Sequence, residues 1–333
     1  MLGKGRPCTV LYFLLILSGF AGMGYEMVWT RMLGVGLGHE IPVVLAVVCA
    51  FFFGLALGAW SLDGVISQSL RPGRWYAALE LVIGAWALAL LVVIPWANGA
   101  AGGLMGTTPG PVWHWAVSFV VPMIAFLPAT FAMGGTLPAM ERLVSRMRKD
   151  GWSVAGVYAA QTLGAVLGTL VTTFLLSPEV GFPVPVMTRA AANGVCAVGV
   201  VVYGARGEES RPPVPVESRE TMPVARLLIT LFFTGLVGIG YEVLVVRVLS
   251  QVLENTVYSF ACALSVYLLG TAVGAACYQA YVPRHHFRRV LVTLLHATSI
   301  SCLFGGVLLW QAERIYAGVR SSLGGGFSGS VLA

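Results

Sequence analysis

Ser18-Gly-Phe-Ala-Gly-Met-Gly-Tyr-Glu26-Met-Val-Trp-Thr-Arg31 returns later in the same chain as Thr234-Gly-Leu-Val-Gly-Ile-Gly-Tyr-Glu242-Val-Leu-Val-Val-Arg247. Tyr25 and Tyr241 are 216 positions apart, and the offset holds without a gap through Gly54/Gly270, Ala56/Ala272, Gly58/Gly274 and Ala59/Ala275. Hydrophobic composition alone would match Leu with Val, but it would not match Glu with Glu or Arg with Arg. The chain is therefore read as a duplicated unit, and each copy carries an acid inside an apolar run.

The surrounding composition is that of a membrane protein. Of the 333 residues only 10% are charged and 57% are hydrophobic, with a mean hydropathy of +0.84, whereas a soluble domain has roughly a quarter of its residues charged. Nine stretches reach the roughly 20 residues that a helix needs to cross a bilayer core: 9–29, 42–62, 76–96, 113–138, 153–176, 184–204, 227–246, 257–281 and 290–310. The sequence thus predicts an all-α polytopic bundle with the lipid bilayer as its principal partner. The formal charge of +6 sits in short loops between apolar runs, which excludes a nucleic-acid reading and bears on orientation instead.

Fifteen of the twenty Lys and Arg residues fall in the amino-terminal tail and in alternate loops: Lys4, Arg6, Arg71, Arg74, Arg142, Arg146, Arg148, Lys149, Arg206, Arg211, Arg219, Arg226, Arg284, Arg288 and Arg289. Arg31, Arg189, Arg247, Arg314 and Arg320 lie on or near the other side. This bias predicts a cytoplasmic amino terminus. Six crossings separate the two copies, so both run in the same direction, the relation between the halves of major facilitator proteins. The expected organisation is a first six-helix repeat over 1–204, a cytoplasmic polar linker over 205–226, half of a second repeat over 227–310 and a Gly/Ser-rich tail over 311–333. An internal copy of the first span argues against reading that span as a cleaved signal.

Two sets of residues carry the functional reading. Gly19, Gly22 and Glu26 recur at i, i+3 and i+7, which points the carboxylate into the bundle, and Glu242 has the same relation to Gly235 and Gly238. An ionisable side chain in a membrane helix costs several kcal/mol unless it is paired or wet. Glu26 and Glu242, with the adjacent Tyr25 and Tyr241, are thus candidates for a cation or proton site. Arg31 and Arg247 lie about 140° round the helix from their acids, so their partners would come from other helices. The alternative is a structural ion pair near the interface. The second set is helix packing: Gly54 and Gly58, Gly270 and Gly274, and Gly164 and Gly168 are four apart and let backbones approach closely in lipid.

Other chemistry is thinly represented. Cys8, Cys49, Cys196, Cys262, Cys277 and Cys302 show no close pairing and read as small buried thiols. His285 and His286 lie in a basic loop, and His39, His114 and His296 have no spaced partners, so no metal signature and no cofactor are expected. The glycines of Gly324-Gly-Gly-Phe-Ser-Gly329 follow no strand and do not make a nucleotide-binding turn.

The string SGFAGMGYEMVWTRMLG, the run FFFGLALGAW at 51–60, LPATFAMGGTLPAMERLV at 127–144 and VYAAQTLGAVLGTLVTTFLLSPEVG at 157–181 resemble the membrane part of bacterial fused major-facilitator/spermidine synthase proteins. The resemblance runs from about residue 10 to 310 and departs at Gln161, where the family is expected to carry Asn. It implies a major-facilitator-like bundle and a polyamine or related small cation as substrate. Full-length relatives also carry a soluble aminopropyltransferase domain, and no catalytic site of that kind is visible here. Three readings stay open: a transporter-like module, a membrane anchor for a spermidine synthase-like domain or a missing carboxy-terminal half, and a truncated remnant without activity.

Orientation is directly testable. In a cysteine-free background, a cysteine placed at Gly102 should react with an impermeant thiol reagent added to intact spheroplasts, and one at Lys149 only after permeabilisation. The reverse pattern would invert the topology.

Overall fold

The computed structural model describes residues 6–37, 41–106, 110–147, 154–176, 179, 181–208, 224–252, 257–281 and 287–322. All regular structure among them is helical. The helices are α1 (Arg6–Leu37), α2 (Ile41–Gln68), α3 (Pro72–Met105), α4 (Pro111–Met147), α5 (Val154–Leu170), α6 (Pro183–Glu208), α7 (Val224–Val252), α8 (Val257–Tyr281), α9 (Phe287–Trp310) and α10 (Ala312–Ser322), and a π-helical segment, Val171–Leu176, continues α5. Among the described residues nine helices are long and apolar enough to cross a membrane, one for each predicted stretch. The protein is a multi-pass helical membrane bundle.

Several boundaries differ from the sequence reading. Helix α1 runs on to Leu37, so Arg31 is helical rather than interhelical, and α4 spans 37 residues through Pro122, Pro128 and Pro138. Proline tolerates this position because neighbouring helices and side chains satisfy the carbonyls that it frees. The first part of the predicted tail is the helix α10. Lys4, Cys8's side chain, His39, Lys149, His285, His286, most of the 205–226 linker and the glycine cluster at 324–329 lie outside the described residues.

The chain divides into two units, Met1–Val214 with Leu264–Ala280, and Pro215–Ala263 with Tyr281–Ala333. In the first, α2 lies along α4, α1 along α5 and α6, and α3 against α4 and α6. Backbones meet directly at these crossings. A Cβ on Gly54 would overlap the Thr130 hydroxyl, one on Gly58 the Phe131 carbonyl, and one on Gly134 the Leu55 carbonyl. On the facing pair, a Cβ on Gly19 would overlap the Gln161 carbonyl, and Cβ atoms on Gly164 and Gly168 would overlap the carbonyls of Ile16 and Phe20. In lipid, dispersion contact of this kind supplies association that hydrophobic burial cannot. Between them sits an aromatic core in which Trp29 stacks on Tyr25 and on Phe126, both at 5.1 Å between ring centroids, with Phe51 at 5.9 Å.

One end of this unit is fastened by charge. Arg146 donates to the carbonyls of Leu70 at 2.7 Å and Ser69 at 2.9 Å, and Arg142 pairs with Asp63 at 2.8 Å. The outer surface carries apolar residues such as Trp60, Leu81, Val92 and Trp96, as a lipid-facing surface does. Two thiols depart from the buried reading: Cys49 and Cys277 are exposed on their helices, while Cys196 is buried with its thiol 3.3 Å from the Leu14 carbonyl. Gly270 and Gly274 have no atom within 4 Å of a Cβ position.

The second unit is sparse. Helix α7 meets α9 and α10, the Tyr241 hydroxyl lies against Gly305, and Phe232 and Phe233 meet edge to face at 5.5 Å. Gly235 and Gly238 face open space.

Because Gly58 and Gly168 touch backbone and Gly22 touches nothing within 4 Å, Gly58→Leu and Gly168→Leu should lower the detergent melting temperature while Gly22→Ala leaves it unchanged. Equal melting of all three variants would contradict the close crossings.

Candidate functional site

The residues that converge inside the first unit are polar positions spaced along helix faces. On α1, Ser18 and Tyr25 are seven apart and share one stripe. On α3, Tyr76 and Glu80 are one turn apart. On α6, Arg189, Asn193 and Cys196 follow at i, i+4 and i+7. These spacings bring each set to a single face, and all seven side chains are buried.

Glu80 is at the centre and 0% exposed. Ser18 Oγ donates to its Oε1 at 2.6 Å, and Asn193 Nδ2 donates to Oε2. The Tyr25 hydroxyl donates to Asn193 Oδ1 at 2.8 Å, which fixes the amide so that its NH₂ faces the acid. Tyr76, fully buried beside Glu80, makes no hydrogen bond through its own hydroxyl among the described residues. The carboxyl of α3 thus accepts from a cage of neutral donors on two other helices, α1 and α6, and the one ion pair within 4 Å among the described residues, Arg142 with Asp63, lies elsewhere.

Arg189 stands one turn before Asn193 and is also 0% exposed. Its Nη1 donates to the Pro185 carbonyl at 2.7 Å, its Nη2 to the Thr172 hydroxyl, and its guanidinium lies 5.3 Å from the Phe20 ring centroid. Thr172 belongs to the π-helical segment, a geometry common at functional positions. A Cβ on Gly24 would overlap Arg189 Nε, so α1 leaves a notch for the guanidinium. Arg189 was counted from the sequence among charges on or near the outer side. The structure instead places it wholly inside the bundle, where a backbone carbonyl, a hydroxyl and an aromatic face meet its two Nη groups while Nε has no partner among the described residues.

The sequence-derived candidates divide. Tyr25 joins the cage directly. Glu26 is buried at 7% exposure and lies about 100° further round α1; Thr30 Oγ1 donates to its backbone carbonyl at 2.7 Å. Arg31 is half-buried. In the second unit Tyr241 and Glu242 are half-buried and Arg247 is exposed. Glu80, Ser18, Asn193 and Arg189 were not selected from the sequence as site residues. The signal that finds Glu80 is the rule that any acid inside a predicted span needs a partner or a purpose, applied to every span rather than to the repeated one.

Chemically, an ionised carboxylate accepts about four hydrogen bonds, and two are filled here. The arrangement can hold a proton or take an ammonium group as a further donor. Among the described residues no group of three His, Cys, Asp or Glu side chains is placed to hold a metal ion.

Removing the amide tests the cage. Asn193→Leu strips one donor from Glu80 and the acceptor of Tyr25, each left buried, and should destabilise the bundle by about 1–3 kcal/mol, whereas Ser321→Ala on an exposed surface should be neutral. Chemical denaturation in detergent reads both, and a neutral Asn193→Leu would contradict the cage.

Fold and site define a multi-pass helical membrane protein with an enclosed carboxyl between its first, third and sixth helices. No family model matches the chain, and no solved structure matches it. It is similar to polyamine aminopropyltransferase 2 of Streptomyces coelicolor, 27% identical over 187 residues, which are 54% of this chain and 31% of that protein. The chain thus spans less than a third of the length of the curated relative that it matches.

Proposed function

We propose that this protein is a transporter-like membrane module for a polyamine or related small aliphatic cation, with Glu80 as the group that meets the ammonium. The observation that carries the reading is the fully buried Glu80 carboxyl, held by Ser18 and Asn193 with acceptor capacity to spare. A charge at that depth is expensive, and intramembrane acids are retained where an ion or proton must be handled. The similarity to a protein named as a polyamine aminopropyltransferase supports the choice of a polyamine-type ligand. Glu26 and Glu242 serve as further cation or proton groups, with Arg31 and Arg247 as their electrostatic counterparts. The module is of the major-facilitator-like type, resembles the membrane part of the fused major-facilitator/spermidine synthase proteins, and lies in the bacterial inner membrane with its amino terminus cytoplasmic.

A second reading has its own support. The backbone-to-backbone crossings of α2 with α4 and α1 with α5 suit a static anchor, and the match covers 31% of the relative, so most of that protein lies outside the aligned part. In this reading the bundle holds a spermidine synthase-like domain or partner at the membrane.

Uptake of labelled putrescine into proteoliposomes separates the two. Transport predicts accumulation above empty vesicles, with a loss of about tenfold or more in Glu80→Gln, since charge-assisted hydrogen bonds contribute about 1.5–3 kcal/mol, and smaller losses in Glu26→Gln and Glu242→Gln, all at unchanged melting temperature. Wild-type uptake equal to that of empty vesicles would favour the anchor.

A further inference from the structure

A groove of about 530 Å³ runs between α3 and α6, lined by nine residues that include Glu80, Leu81, Ala85, Leu88, Met187 and Gly194. That volume falls within the range of small-molecule sites. All nine residues belong to membrane-spanning stretches, and Leu81, Leu88 and Met187 on its rim are exposed. The groove therefore opens on the lipid face of the helix pair, not into water. Its walls are apolar apart from Glu80. Three of its lining positions are glycine or alanine on α6, and a Cβ at Gly194 would meet nothing within 4 Å, so the space is not needed for helix packing.

We propose that this groove is a bilayer-facing site for a single-headed aliphatic amine, which lays its hydrocarbon chain along α3 and α6 and presents one ammonium to Glu80. The chemistry follows from the lining. A methylene chain against Leu81, Ala85, Leu88 and Met187 loses no hydrogen bonds, whereas a second ammonium in the same groove would find no acceptor and would remain desolvated at a prohibitive cost. The cage supplies what one ammonium needs: Ser18 and Asn193 each take one lone pair of the carboxylate and leave the others. Uncharged chains of the same length gain only what any lipid tail gains. The inference rests on the same Glu80 as the transport reading, and it adds that the groove admits amphipathic amines from the membrane. Such amines would accordingly compete with polyamines for one carboxylate.

The test uses the full chain in phosphatidylcholine nanodiscs and a photoreactive n-octylamine carrying a diazirine near its amine, with the matching octanol as the uncharged control. Photolysis and peptide mapping should place the amine adduct on residues 81–88 and 187–194, with displacement by unlabelled n-octylamine and not by octanol. Labelling should fall about tenfold in Glu80→Gln and to the level of the octanol control in Gly194→Leu, which fills the groove while leaving the cage and its melting temperature intact. Labelling that is equal for amine and alcohol, or unchanged in Gly194→Leu, would show acyl-chain occupancy only and overturn the proposal. Displacement by added phosphatidylethanolamine would assign the groove to a lipid headgroup and overturn the assignment to a free amine. Because photolabelling does not require transport, absence of putrescine uptake with intact amine labelling rejects the transport reading alone, and intact uptake without labelling rejects this inference alone.

Discussion

A carboxyl group enclosed between membrane helices has no water to fall back on, so the bundle itself must supply every hydrogen bond that it needs. This constraint organises the first unit. To put donors on Glu80, α1 must bring Ser18 and α6 must bring Asn193 within hydrogen-bonding reach of α3. Tyr25 must then orient the Asn193 amide. Helices can converge that closely only where side chains are small, and α1 is seated against α5 through Gly19, Gly164 and Gly168 with no Cβ between the backbones.

The two buried charges are treated differently. Arg189 donates to a carbonyl and to a hydroxyl in the π-helical segment and lies over an aromatic face, in a notch that a Cβ at Gly24 would close. These contacts tie α6 to α1 and to the end of α5, while Nε has no hydrogen-bond partner among the described residues. Glu80 has two neutral donors and unused lone pairs, an incomplete solution from the standpoint of stability alone. A site built for a static purpose would be expected to complete the set or to replace it with apolar packing, since buried ionic groups are weak contributors to stability. Both groups keep hydrogen-bonding capacity, and Glu80 is the one whose free capacity can accept an incoming donor.

Much of the fold was legible because apolar run length is a direct consequence of bilayer thickness. All nine spans could be placed from it, while their ends could not: α1 continues past 29 to Leu37 and α4 past 138 to Met147, because adjacent helices, not local propensity, decide where a membrane helix stops. The site was less legible. Repetition drew attention to Glu26 and Glu242, which share a register, and away from Glu80, which stands alone in an apolar run. Asn193 and Ser18 look like ordinary polar interruptions in sequence, and their significance appears only when three helices are assembled. Arg189 looked like a loop-proximal charge because the aromatic, hydroxyl and carbonyl partners that make burial tolerable come from residues 20, 172 and 185. Tyr25 was found for its place in the repeat, and its partner Asn193 lies 168 residues away.

The central claim is that Glu80 meets an ammonium ligand within the membrane. Ligand-induced infrared difference spectroscopy of the reconstituted protein addresses it most directly, because it reads the carboxyl vibrations themselves. The account predicts that adding an aliphatic amine shifts a carboxyl band in the wild-type protein, that the shift disappears in Glu80→Gln, and that it survives in Glu26→Gln. A difference spectrum unchanged by Glu80→Gln would contradict it.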